Sequence, residues 1–250
     1  MALEPSTGWK YFKVLTVSDS NNSSEDYQIK LTVYAGSGTD DPANGIVYCD
    51  NHCENFPNDI RFGTTSNPKT AEQLPQWIEE SDASSAIIWV KLPSDGSDTI
   101  YMFVGNSDAS LYSDGDSTFL FFDDFDGISI DSNKWQWYNS AYLDIKEVSN
   151  SLCHFAHNSA GVSAGIKTIN SYYPLSKIFE VKFRRVQGTH KAPEFRLTGA
   201  PAWSILYYAT GYDEWDGETG NSGGGVIYSI ENDTDFRIGK IVVTTSTVYF

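Results

Sequence analysis

Apolar and polar residues alternate with a period of two along most of this chain, and that pattern restricts the fold more than any other feature. WKYFKVLTV (9–17), YQIKLTVY (27–34), AIIWVKL (86–92) and TIYMFVG (99–105) are rich in β-branched and aromatic residues. IFEVKFRRV (178–186), EFRLTG (194–199), WSILYYATG (203–211), GGVIYSIE (224–231) and KIVVTTSTVYF (240–250) continue the pattern. Successive side chains of an extended chain point to opposite faces, so each segment reads as a strand. Clusters of Gly, Asp, Asn and Ser between them mark turns. The best helical stretch, TAEQLPQWIEE (70–80), is broken by Pro75. The expected class is all-β, of sandwich type.

One composition shift interrupts the series. NSDASLYSDGDST (106–118) is polar and almost free of large apolar residues, which suits a connection between domains. It divides the chain into 1–117 and 118–250, each near the usual size of a domain. The last strand runs to Phe250 with no turn signal after it, so the second domain is expected to be truncated there and the natural chain to continue.

Charge and cysteine content narrow the partners. Asp and Glu outnumber Lys and Arg by 33 to 17, a net charge of −16. No basic stripe is available to neutralise phosphates, which excludes nucleic acid and disfavours docking on an anionic membrane. No apolar run approaches the roughly 18 residues of a membrane span, so direct insertion is not expected. The start, MALEPSTGWKYF, lacks the apolar stretch of a secretory signal, and a mature or trimmed chain is the preferred explanation. Asn21, Asn22 and Asn232 occupy N-x-Ser/Thr triplets, a weak sign of a secreted surface.

Cys49 and Cys53 flank His52 in YCDNHCENF. A short-loop disulfide is the first expectation and free thiols the second. Zinc comes last, because only three Cys and four His exist in the whole chain. Cys153 reads as a small buried hydrophobe.

The ordered series DYQIKLTVY (26–34), FPNDIRFG (56–63), LPQWIEE (74–80), AIIWVKLP (86–93), TIYMFVGN (99–106) and STFLFFDDFDG (117–127) resembles a family of domains of unknown function. That family occurs in archaeal and bacterial surface and secreted proteins. In it, this module runs into a concanavalin A-like lectin/glucanase sandwich. Residues 119–250 resemble that second fold more loosely, through DDFDG…ID…KW and the strands that follow. The resemblance implies two β-sandwich domains, the second a concanavalin A-like jelly roll. It also implies an extracellular or cell-surface setting and a connection to glycans, with no established activity.

The candidate sites follow from chemistry. A laminarinase-type glucanase carries Glu-x-Asp-x-x-Glu on one strand, because alternate residues then line one cleft wall with carboxyl groups about 5–5.5 Å apart. No such series occurs in 128–250. The nearest stripe, Glu180, Lys182 and Arg184, has one carboxylate with two cations, and reads as a surface ion-pair network or a polar contact for a sugar or acidic ligand. YYATGYDEWDGETGNSGGG (207–225) reads as a protruding loop. There Tyr208, Tyr212 and Trp215 offer flat faces for sugar rings, and Asp213, Glu214, Asp216 and Glu218 accept hydroxyl hydrogen bonds or hold calcium; the alternative is an acidic surface loop whose aromatics fold back onto the sandwich. Asp123, Asp124 and Asp126 form an acidic turn open to a structural calcium ion, although Phe122 breaks the EF-hand spacing. Phe119, Phe121 and Phe125 fall on one alternation face and Phe122 on the other, as if seating a junction between sandwiches. Asp59 and Arg61 read as an ion pair or turn clamp, and Trp77 and Trp89 as core or half-buried strand residues.

The expected function is a non-catalytic carbohydrate-binding or adhesion segment of a larger surface or secreted protein. Its partners would be a glycan or polysaccharide, with further domains of the same protein or self-association besides, and no cofactor is required. The alternatives are a glycoside hydrolase or polysaccharide lyase with an atypical site, and a structural spacer or self-assembling coat.

Overall fold

The computed structural model describes residues 3–17, 27–93, 97–157, 164–171, 177–183, 193–198, 203–208, 214–219, 222–229, 237–243 and 248–249. The chain is all-β with sandwich packing and divides into two compact units, Met1–Asp123 and Asp124–Phe250.

Unit 1 contains β1 (Tyr11–Thr16), β2 (Gln28–Tyr34), β3 (Ile46–Tyr48), β4 (Arg61–Gly63), β5 (Gln76–Ser81), β6 (Ser85–Lys91) and β7 (Thr99–Val104). They form a three-stranded sheet ordered β1-β7-β4 and a four-stranded sheet ordered β3-β2-β6-β5. Among the described residues of this unit, only β2 and β3 pair in parallel. The alternation read from the sequence becomes burial: β6 alternates half-buried and buried along its whole length. Leu31, Val33, Ile88 and Val90 of one sheet meet Phe62, Ile100, Met102 and Val104 of the other in a single core. Each such side chain contributes about 1.5–3 kcal/mol on burial.

The N-terminal segment covers the outer face of the smaller sheet, and Arg61 fastens it there. Arg61 is 2% exposed, and its guanidinium donates to the carbonyls of Glu4, Asn58, Ile60 and Ser110 at 2.5–3.1 Å. It also lies over the rings of Trp9 and Tyr112, at 5.8 and 5.3 Å. Asp59, fully buried, accepts instead from the amides of Glu54 and Gly105 at 2.6 and 3.2 Å. Both residues therefore clamp main chain, and their hydrogen bonds do not join them to each other.

A short helix, α1 (Gly115–Thr118), follows the polar stretch, with the Asp114 side chain accepting from the Ser117 amide at 2.9 Å. It delivers Phe119 and Phe122 onto the outer face of the larger sheet. Trp77 lies edge-on to Phe122 at 4.7 Å and to Phe119 at 5.7 Å, and Trp89 lies edge-on to Phe119 at 5.5 Å. Phe119 and Phe122 stack on each other at 5.7 Å. Strand alternation does not govern this segment, since the chain turns after α1 and brings residues three apart together. The two tryptophans are half-buried, as expected, because these phenylalanines cover them. The division at Asp123/Asp124 accordingly falls later than the 117/118 boundary read from composition.

Unit 2 contains β8 (Trp135–Tyr138), β9 (Leu143–Ser149), β10 (Leu152–His157), β11 (Ala164–Ser171), β12 (Lys177–Phe183), β13 (Pro193–Thr198), β14 (Trp203–Tyr208), β15 (Glu214–Thr219), β16 (Ser222–Ser229), β17 (Arg237–Val243) and β18 (Val248–Tyr249). The main sheet is ordered β16-β15-β14-β13-β11-β8, beside a three-stranded sheet β12-β17-β18 and the hairpin β10-β9. β11 and β13 pair in parallel. Asp131 opens this unit's first strand by accepting from the Asn133 amide at 2.8 Å, and Trp135 follows it into the interior at 2% exposure. Phe125 stacks on Trp135 at 5.8 Å.

One local expectation is corrected, and one weak helical signal is resolved. The helical period of 70–80 gives way to β5, which begins directly after Pro75 and pairs Ile78 with Ile88 of β6. Proline supplies no amide for a helix and pushes the preceding residue into extended backbone. The segment 207–225, read as a protruding loop, instead contributes β15 between β14 and β16, with Trp215 opposite Tyr207 and Tyr228. Its glycines and acids conceal a strand whose partners hold it by main-chain hydrogen bonds.

Candidate functional site

β1 has more polar character than a core strand, and its parity explains why. Leu15 points inward against the core, so Tyr11 and Lys13 lie on the same side, nearer the strand's start. There the two sheets leave a cavity of about 320 Å³, lined by Tyr11, Lys13, Tyr48, Asp50, His52 and Met102 among others.

Polar contacts shape one wall. Lys13 Nζ lies 3.0 Å from Asp40 Oδ2 and 3.1 Å from Asp50 Oδ2, and donates to the Tyr48 carbonyl at 2.6 Å. Burial alone would lower the Lys13 pKa, but hydrogen bonds to Asp40 and Asp50 outweigh it and hold the ammonium above its usual value. On the other wall, the Tyr11 and His52 rings stack with centroids 3.9 Å apart. Tyr48 stacks on Tyr34 at 5.0 Å. Lys10 at the rim pairs with Glu54, which raises the Lys10 pKa.

The close approach behind the Tyr11–His52 pair requires glycine. Gly105 has φ +80°, and a Cβ there would meet the His52 carbonyl oxygen and Tyr11 Cδ2, each at 2.9 Å. The turn carrying Asp50 and His52 is also firmly set. The His52 amide donates to the Cys49 carbonyl at 2.9 Å, while the Asp50 and Asn51 amides donate to Gly36 and Ala35 at 3.0 Å. Aromatic faces, a fixed ammonium and fixed carboxylates around an apolar floor give a cavity able to orient a small polar ligand bearing hydroxyl groups. Its lining carboxylate is tied to a lysine, an arrangement suited to recognition more than to proton transfer.

The sites expected from the sequence fare differently. Tyr208 lies in β14, and Trp215 and Asp216 in β15, whereas Tyr212, Asp213 and Arg184 lie outside the described residues, as do Asn21, Asn22 and Asn232. Glu180 and Lys182 are exposed on β12, with Glu180 opposite Lys240 of β17. Asp123 ends unit 1, and Asp124 and Asp126 begin unit 2. Among the described residues no group of three or more His, Cys, Asp or Glu side chains is placed to hold a metal ion. The expected Cys49–Cys53 bridge is not formed here: both thiols are free. Cys153 is half-buried rather than buried.

In unit 2, Lys167 of β11 and Arg196 of β13 stand opposite each other in register, and both lie over the Tyr138 ring, at 5.4 and 5.3 Å. The sequence reading missed this cluster and the Tyr11–Lys13–His52 grouping alike. The one available signal for the latter was WKYFKV, where lysines and aromatics interleave on a strand.

Residues 57–138 match a family model described as Domain of unknown function (DUF2341). The matched stretch starts just before β4 and runs through β8, so it crosses from unit 1 into unit 2. Comparison with curated proteins and with solved structures gives no match.

Proposed function

We propose that this chain is a non-catalytic carbohydrate-binding or adhesion segment of a larger cell-surface or secreted protein, and that the cavity beside β1 receives the sugar. The observation that carries the reading is the pairing of a stacked Tyr11–His52 wall with Lys13 held between Asp40 and Asp50. Sugars present alternating apolar ring faces and hydroxyl edges, and such a cavity offers a surface for each. The second unit would be a concanavalin A-like jelly roll. No cofactor enters the proposal, and calcium, if taken up, would be structural.

Binding of the whole chain to a polysaccharide panel provides the test. Tyr11→Ala and His52→Ala should each weaken retention at least tenfold while leaving the unfolding transition in place. Loss with Trp215→Ala instead would move the site to unit 2. Release of reducing ends or unsaturated products would replace the proposal with hydrolase or lyase activity. Ordered polymers without any glycan retention would favour the structural coat.

A further inference from the structure

Cys49 and Cys53 are brought together by a turn that has little freedom to hold them otherwise. Asp50 and Asn51, its central residues, adopt left-handed φ of 55° and 61°. The Cys49–His52 hydrogen bond of 2.9 Å closes the turn, and the Gly36 and Ala35 carbonyls pin it to the strand end of β2. Cys49 is 2% exposed within the core of unit 1, and Cys53 packs against the same core while remaining half-open to solvent. The turn and this shared core cluster bring the two side chains to the same side of the segment, four residues apart.

We propose that Cys49 and Cys53 are an oxidisable dithiol, converted to an intramolecular disulfide that closes the 49–53 turn by exchange with a low-molecular-weight disulfide. Cys53, the accessible member, attacks one sulfur of the small disulfide and releases one thiol, leaving a mixed disulfide on Cys53. Cys49 then attacks the Cys53 sulfur and releases the second thiol. The protein dithiol loses two electrons and two protons, and the small disulfide gains both as two thiols. The reaction is slow at neutral pH, because hydrogen bonding to Cys49, burial and the nearby Asp59 carboxylate hold the Cys53 thiol well above its usual pKa. This marks a structural bridge formed once, not a catalytic redox centre. The bridge spans the segment bearing Asp50 and His52, so it fixes two of the residues that line the cavity. The inference stands independently of what that cavity binds.

The test uses the full chain incubated with glutathione disulfide, then denatured, alkylated and digested for mass spectrometry. The expected product is a peptide bridged between Cys49 and Cys53, with Cys153 still alkylated, accumulating faster as pH rises. Cys49→Ser should arrest at a stable glutathione adduct on Cys53, and the oxidised wild type should melt at a higher temperature than the reduced form. Both thiols remaining alkylatable after prolonged incubation at alkaline pH would overturn the proposal. A bridge to Cys153 would overturn it equally, as would a pair that forms only after unfolding.

Discussion

Lys13 reaches across from β1 to Asp40 and Asp50, and its raised pKa makes it a reporter of the folded cavity. Because the folded value exceeds the ordinary 10.5, the stabilisation from Lys13 is fully present below 10.5 and is lost as pH rises through the folded value. Lys13→Met should therefore cost about 1 kcal/mol near neutrality, with a difference from wild type that shrinks under strongly alkaline conditions. Urea denaturation at a series of pH values would show this, and a difference that stays flat into the alkaline range would refute it. The grouping of Tyr11, Lys13 and His52 was not legible beforehand. Strand parity placed Tyr11 and Lys13 on one face, but nothing local said that the 49–53 turn would fold against them. The prominent candidates, Tyr212, Trp215 and Asp216, drew notice by composition alone, and Trp215 and Asp216 proved to belong to a paired strand.

At the level of the element, the aromatic cover on β5 and β6 depends on a side chain that is absent. A Cβ on Gly115 would lie 2.2 Å from Phe122 Cδ1, so the Phe122 ring rests directly on the first residue of α1. Gly115→Ala should displace the ring, cost about 1–3 kcal/mol by overpacking and shift tryptophan emission as Trp77 gains solvent. Unchanged emission and an unchanged melting temperature would count against that account. The regular strands were readable because alternation survives throughout residues 85–91 and over most of 28–34 and 99–102, where one face meets the core. β4 escaped notice because Arg61, Phe62 and Gly63 are all buried and carry no alternation. α1 and the Phe119–Phe122 stack escaped because a helical turn inserted in an apolar run resets the parity on which strand reading depends.

For the molecule as a whole, the aromatics of 119–122 set where unit 1 ends. A chain of residues 1–123 should unfold in one cooperative transition, whereas one of 1–117 loses Phe119, Phe122 and the 2.9 Å hydrogen bond from Gln28 to the Thr118 carbonyl. Roughly 3 kcal/mol should separate them by chemical denaturation. Coincident midpoints would show that the cover contributes nothing. The pairing of β1 with β7, which sets Tyr11 opposite Val104, has a consequence for biosynthesis. As the ribosome extends the chain, β1 emerges well before β7 with Leu15 uncovered, and among the described residues its partner strand is complete only once translation has passed Val104. Closure of the first sandwich thus waits on its last strand, and the nascent chain carries an unpaired strand edge throughout the wait, when a chaperone would find most to hold.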